Sequence, residues 1–292
     1  MATETQPTQN GWGPMVQVAL EQRFAAPRRI LDDPLAYPFL PAYLRILVAV
    51  AGSRPLREPL LGLVDRQVPG VRGGVLCRKR AIDDRLAEAL GRGAAAVVDL
   101  GSGMDTRAGR VSSPVAVPFY AVDLPETNAA LAAALRRACG GVPAPVRLVA
   151  TDFERQDAAA ALAAAGYTPG QRVFFIMEGV SQYITAAAVR CALEATRSAG
   201  PGSVLAFTYI RRDFLEGRAL YGLEALYRLT RGKRETWRFG LEPDEITGFL
   251  APFGWREVEQ LGSAEYLERI VQPTGRDIPV MAVERLAVAA KM

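Results

Sequence analysis

A chain of 292 residues that is 50% hydrophobic can bury a large core in one elaborated domain, and its net charge of +4 is small and scattered, with no basic tail to argue for a nucleic-acid partner. It contains no histidine, so Ser-His-Asp and Cys-His hydrolases, imidazole bases and histidine metal sites are all excluded. Cys77, Cys139 and Cys191 lie far apart with no C-x-x-C spacing, which encodes neither a disulfide framework nor a zinc knuckle and fits a reducing cytoplasm.

The first fourteen residues are polar, with Gly11, Gly13 and Pro14 as breakers, and are expected to be disordered, order beginning near Met15. They lack the basic and apolar regions of a signal peptide, and the longest apolar run, Ile46 to Ala51, is too short to span a bilayer, so a cytoplasmic protein with no membrane partner is expected. From Met15 to about Gly52 the apolar positions Val16, Leu20, Phe24, Leu35, Phe39, Tyr43 and Leu47 return at helical spacing, broken by Pro27, Pro34, Pro38 and Pro41. These short helices read as a cap, either as plain core packing or as a cover for a substrate to which Phe24 would offer an aromatic face. Arg54 to Gly74 reads as connection, closing a cap and linker over 15–74, and Val75 to Leu90 as a helix with Ile82, Leu86 and Leu90 on one face.

Ala94 to Pro125 holds two β-branched or aromatic runs, Val97 to Leu100 and Val117 to Leu124, with the length of buried parallel strands and an acid near the end of each, Asp99 and Asp123. Between them Gly101-Ser102-Gly103 precedes a short helix, a turn without Cβ atoms that presents helical N–H groups to a ligand. Asp123 stands where an acid accepts both hydroxyls of a ribose. A dinucleotide loop wants a third glycine where Thr106 stands, which disfavours a nicotinamide oxidoreductase.

A helix from Glu126 to Cys139 leads to a third strand, Arg147 to Phe153, carrying Asp152, which is either a ligand or the cap of a helix from Glu154. Gln171 to Met177 is the fourth strand, and Glu178-Gly179 at its carboxyl edge should flank the ligand crevice opposite the end of the first. GVSQY has the serine of a nucleophile elbow without its closing glycine, and no histidine exists to activate it. Thr185 caps a helix to Ser198, and Ser203 to Ile210 is the fifth strand. The insertion over 211–240 has an amphipathic spacing, Phe214, Leu220, Leu223, Leu226 and Tyr227, and reads as a lid that is either a substrate wall or a homodimer surface. The candidate substrate residues are Phe24, Tyr183, Tyr209, Arg211, Tyr221 and Trp237. A helix over Glu242 to Phe253 and strands near Trp255 to Leu261 and Val280 to Val288 complete a seven-stranded sheet.

VVDLGSGMDTR, FYAVDLPE and FFIMEGVSQYI, in this order, resemble the leucine carboxyl methyltransferase family, as do CRKRAIDD and TDFE. The likeness covers about Leu76 to Tyr209. It implies an α/β, Rossmann-like, seven-stranded fold and S-adenosylmethionine (SAM) as cofactor, with no metal. It further implies that Arg78, five residues before Asp83, pairs with the SAM carboxylate, Arg80 being the runner-up and a merely solvated helix face the bland alternative. Asp99, Gly101, Gly103, Asp123 and Leu124 would hold the adenosine side, Asp152 and Phe153 the adenine, and Glu178 the cationic amino acid.

Methyl transfer to oxygen is an in-line displacement in which the protein contributes alignment, dryness and the nucleophile's charge state. A carboxylic acid with a pKa of roughly 4 is already anionic at neutral pH, whereas a phenol near 10 needs a base. A histidine-free chain suits the first, so the expected product is a methyl ester of a small aromatic or polyketide-type acid, with no obligatory catalytic base. A phenol acceptor, with Glu178 or Tyr183 as base, stays open, as does a non-methylating cyclisation or decarboxylation on the same scaffold.

Overall fold

The computed structural model describes residues 7–111, 117–231 and 236–292. Five helices precede the first strand: α1 (Pro7–Glu21), α2 (Ala36–Phe39), α3 (Ala42–Ala51), α4 (Arg54–Gln67) and α5 (Val71–Gly91). Two expectations fail here. The first helix already runs from Pro7 rather than from near Met15, residues 1–6 of the expected disordered stretch lying outside the described residues, and the stretch from Arg54 expected to be connection is mostly helix, with Pro55 in the first turn, where a missing N–H costs no intrahelical bond, and Pro59 tolerated inside. Helix α5 also starts four residues earlier than Val75, at a left-handed Gly70 whose Cβ would meet Met281 N at 2.4 Å.

The remaining elements are β1 (Ala96–Leu100), α6 (Arg107–Arg110), β2 (Phe119–Asp123), α7 (Pro125–Cys139), β3 (Val146–Ala150), α8 (Ala158–Ala164), β4 (Val173–Met177), α9 (Ala186–Glu194) and β5 (Val204–Ile210). After them come α10 (Arg212–Leu215), α11 (Glu224–Thr230), α12 (Ile246–Leu250), β6 (Trp255–Leu261), α13 (Ser263–Tyr266) and β7 (Glu284–Lys291). The third strand ends at Ala150, so Asp152 lies beyond it, and the last strand starts four residues later than expected. The irregular turns from Ser263 to Thr274 carry no clear periodicity in the sequence.

The sheet order is β3-β2-β1-β4-β5-β7-β6, with β1 to β5 parallel and β7 antiparallel to both neighbours. Strands β1 and β4 are buried at every position because helices cover both faces, which is why they read as continuous apolar runs. Alternate residues feed two cores: Val97, Phe174 and Ile176 pack under the cap helices, α5 and α7, whereas Val98, Phe175 and Met177 pack against α8, α9 and α12. Part of the insertion forms a third cluster, in which Phe214, Leu223 and Trp237 pack with Met281 and Val283. The strand order reverses between β1 and β4, so their adjacent carboxyl ends open the crevice expected of such sheets. Among the described residues no helix is long and apolar enough to cross a membrane.

Candidate functional site

The turn leaving β1 is set by glycine. Gly101 has φ +83°, and a Cβ there would meet a Val180 methyl at 2.3 Å, whereas Gly103, at φ +52°, has nothing within 4 Å of its Cβ position. The first glycine lets two segments close up; the second leaves open space beside the backbone. The Gly103 N–H donates to Asp123 Oδ2 at 2.8 Å and the Leu124 N–H to Oδ1 at 2.7 Å, so the acid ending β2 clasps the turn. Burial raises the Asp123 pKa, partly offset by those two bonds. Thr106, in the third-glycine position, donates its hydroxyl to the buried Asp33 at 2.5 Å and ties the turn to the cap.

Beside this turn lies a buried charge network. Glu178 follows β4 and accepts from Arg78 Nε at 3.0 Å and from Arg107 Nη1 at 2.7 Å, with Lys79 Nζ at 3.3 Å. Arg78 also places Nη1 2.5 and 2.6 Å from the two oxygens of Glu284, the first residue of β7. Arg107, with no exposed surface, pairs further with Asp83 at 2.5 Å and Asp105 at 2.6 Å and donates to the Lys79 carbonyl at 3.0 Å. Burial opposes ionisation of Glu178, but Lys79, Arg107 and Arg78 outweigh it and hold its carboxyl well below the usual range.

Asp99 is the exception. It is 2% exposed and its Oδ2 has no hydrogen-bond partner among the described residues. Burial, then the neighbouring Asp105, drive its pKa well above the ordinary value despite Arg107 and Lys79 nearby. Ser102 Oγ, in the glycine turn, is likewise buried and unpartnered. The site therefore holds a carboxyl that burial disfavours as an anion, next to open backbone.

The other expected residues divide. Asp152 Oδ1 accepts from the Glu154 N–H at 2.9 Å within a turn; no helix starts at Glu154 as the capping alternative expected, since α8 begins at Ala158 and is capped by Asp157, and Phe153 is 8% exposed in the sheet core. Arg80 is half exposed, paired with Asp84 at 2.8 Å and donating to the Ile30 carbonyl at 3.2 Å, away from the Glu178 network that holds Arg78. Phe24 is buried between the guanidinium groups of Arg57 and Arg276, 3.9 and 4.0 Å from its ring centre, and offers no open face. Tyr209 is fully buried, stacked on Phe207 and bonded to Gln260 at 2.6 Å. Arg211, Asp213 and Tyr221 form their own knot, Arg211 pairing with Asp213 at 2.7 Å and Tyr221 donating to it at 2.5 Å. Trp237 packs into the insertion's core beside Phe214. Tyr183 keeps 39% of its surface and lies in the field of Arg78 and Glu284; burial of its phenol group raises its pKa. Ser181 is buried and donates to the Thr208 carbonyl at 2.8 Å, a structural role. Lys79, Asp105, Arg107 and Glu284 are not singled out by the sequence: the DTR run holding two of them has no chemical spacing of its own, and Glu284 lies 206 residues from its partner Arg78.

Residues 12–197 match the model of the leucine carboxyl methyltransferase family. The chain belongs to that family. A Frankia alni protein named as an S-adenosyl-L-methionine-dependent methyltransferase is 30% identical over 260 residues, covering 84% of this chain and 82% of that one. A Mycobacterium avium protein of the same name is 31% identical over 284 residues, covering 87% and 86%. The fold resembles the crystal structure of a Thermobifida fusca methyltransferase with a TM-score of 0.57 at 18% identity, covering 80% of this chain and 87% of that one. The charge network spans helix, turn and strand segments inside the family match, except Glu284, which comes from the last strand of the sheet.

Proposed function

We propose that this SAM-dependent methyltransferase forms a methyl ester on a carboxylate of a small aromatic or polyketide-type acid. The observation that carries the reading is the state of Glu178: an anion gripped by Arg78, Arg107 and Lys79 is a poor proton acceptor, so the carboxylate at the carboxyl end of β4 is unfit to deprotonate a phenol. Tyr183 is no better, since burial pushes its pKa up and keeps it protonated at neutral pH. An acceptor that arrives ionised needs neither.

The residues present fit the cofactor. Open space beside Gly103 and the clasp by Asp123 suit an adenosine whose ribose hydroxyls would donate to the remaining lone pairs of that carboxylate. The unpartnered oxygen of Asp99 suits the ammonium or sulfonium of the cofactor's amino acid. Arg78 would meet the cofactor carboxylate through Nη2, the guanidinium nitrogen for which no protein carboxylate competes among the described residues. When bound, the cofactor supplies an electrophilic methyl group. The protein's part is to exclude water, fix both reactants in line and keep Glu178 anionic beside a cation.

Incubation with methyl-labelled SAM and a panel of aromatic and aliphatic carboxylic acids, followed by mild alkaline hydrolysis, tests this. Label released as methanol supports the ester. Label that resists alkali points to a phenol ether, and cofactor binding without label transfer points to a non-methylating reaction.

A further inference from the structure

The cap carries an apolar surface outside the glycine turn and the charge network. Helix α3 exposes Tyr43, Ile46, Leu47 and Val50, at spacings of 3, 4 and 7 from the first, with Tyr43 and Ile46 each 66% exposed. Helix α4 exposes Leu56, Leu60, Leu63 and Val64, at spacings of 4, 7 and 8. Each set is one continuous helical stripe. Opposite sides anchor the helices: Val48 and Leu61 are buried, and Arg57 donates to the Arg23 carbonyl at 2.5 Å while covering the Phe24 ring. Helical periodicity puts Arg45, Glu58 and Asp65 off the stripes, so no charge interrupts either one.

Eight large side chains exposed by about half present on the order of 700 Å², above the roughly 300–600 Å² of the largest apolar patch on an ordinary monomer. It is close to the roughly 800 Å² that each partner contributes to a stable protein interface. Two adjoining helices with a bare stripe on each amount to half of a four-helix bundle. We propose that α3 and α4 of one copy pack on α3 and α4 of a second, forming an intermolecular four-helix bundle and a two-fold dimer. The same stripes meet themselves across such an axis, so the contact is self-complementary and closes without leaving a free face. The helices touch the rest of the protein through the cap, so the dimer would leave the crevice between β1 and β4 open to ligands.

Sedimentation velocity on the full chain at tens of micromolar is expected to give twice the 31.5 kDa chain mass. The double variant Ile46→Glu/Leu60→Glu changes two side chains already in water within the protomer, so it should fold normally, with unchanged circular dichroism, and self-associate at least a hundredfold more weakly. In parallel, hydrogen exchange of the wild type should slow at α3 and α4 as concentration rises, a readout that stands even where the double variant fails to fold. A wild-type monomer overturns the proposal, as does a dimer that survives the double substitution. A monomer that co-sediments with phosphatidylglycerol vesicles overturns it in favour of a lipid surface.

Discussion

The Gly103 amide and the Asp123 carboxylate meet at 2.8 Å, and this bond, beside those from the Gly101 and Ser102 N–H groups to the Val122 carbonyl, joins the turn after β1 to the end of β2. Asp123 thus builds the cradle it is proposed to serve. Replacing it with alanine removes the clasp and the two acceptors offered to a ribose together. Cofactor affinity should fall by about 2 to 4 kcal/mol, read by calorimetry, with a smaller loss for Asp123→Asn, which keeps one acceptor. Affinity unchanged in Asp123→Ala would remove the adenosine site from this turn.

Arg78 and Arg80 differ in what surrounds them. Arg80→Lys touches a half-exposed pair with Asp84, worth a few tenths of a kcal/mol, and should alter neither stability nor cofactor binding measurably. Arg78→Lys loses the fork that spans Glu178 and Glu284 and should weaken cofactor binding about tenfold or more while lowering the melting temperature. A melting change without an affinity change would make Arg78 a purely structural partner of the two glutamates.

The sheet was legible because β1 and β4 are covered on both faces and must be apolar throughout, and the glycine turn because only glycine tolerates the Val180 contact and left-handed φ of Gly101. Helix α4 was obscured by Pro55, Pro59 and its charges, since local punctuation says nothing of the tertiary packing that holds Leu61 and Arg57 in place. At the site, a motif could position Arg78 but not reveal Glu284, whose approach depends on β7 entering the sheet antiparallel beside β5. Aromatic residues singled out by position alone were the weakest guide. Phe24 and Tyr209 are large enough to serve as core, and the fold uses them so.

Arg107 is the hub of the buried network, holding Asp83, Asp105 and Glu178 at once. Arg107→Met takes the ion-pair partner from the buried Asp105 and one of several from Asp83 and Glu178, which keep Arg110 and Arg78 with Lys79, and should cost about 3 to 5 kcal/mol, on the order of 10 °C in melting temperature. Arg238→Met, which breaks a longer, half-exposed pair with Glu154 at 3.5 Å, is the control and should stay within about 0.5 kcal/mol. Equal effects in thermal unfolding would deny Arg107 its central place.

Asp99 stands in the free protein with its pKa raised by burial and by Asp105. A raised carboxyl contributes stability below its unfolded pKa and loses that contribution as pH rises through the folded value, so Asp99→Asn should raise the melting temperature of the free protein at neutral pH, by roughly 2–4 °C if the gain is about 1 kcal/mol. A cofactor cation favours the ionised form, so binding should release a proton, with wild-type affinity rising with pH until Asp99 ionises unaided. Calorimetry in two buffers of different ionisation enthalpy reads that proton. Asp99→Asn should abolish the release and weaken binding; a variant that still releases the proton would assign it elsewhere.

The acceptor's charge is read from the chemical step with cofactor saturating, which removes Asp99 from the profile. Glu178 is already anionic, Tyr183 stays protonated, and the chain has no histidine, so none of these groups should change charge between about pH 6 and 9 in the loaded enzyme. Single-turnover rates with a carboxylate acceptor are therefore expected to be flat across that window. At limiting cofactor, by contrast, the rate should follow the Asp99 titration and rise with pH. Tyr183→Phe removes the phenol and should change the saturated rate by less than about threefold, since no proton passes through it. A phenol acceptor would behave otherwise: its saturated rate would climb about tenfold per pH unit until the anion formed. That slope, together with a large loss in Tyr183→Phe or Glu178→Gln, would replace the ester assignment with base-assisted ether formation.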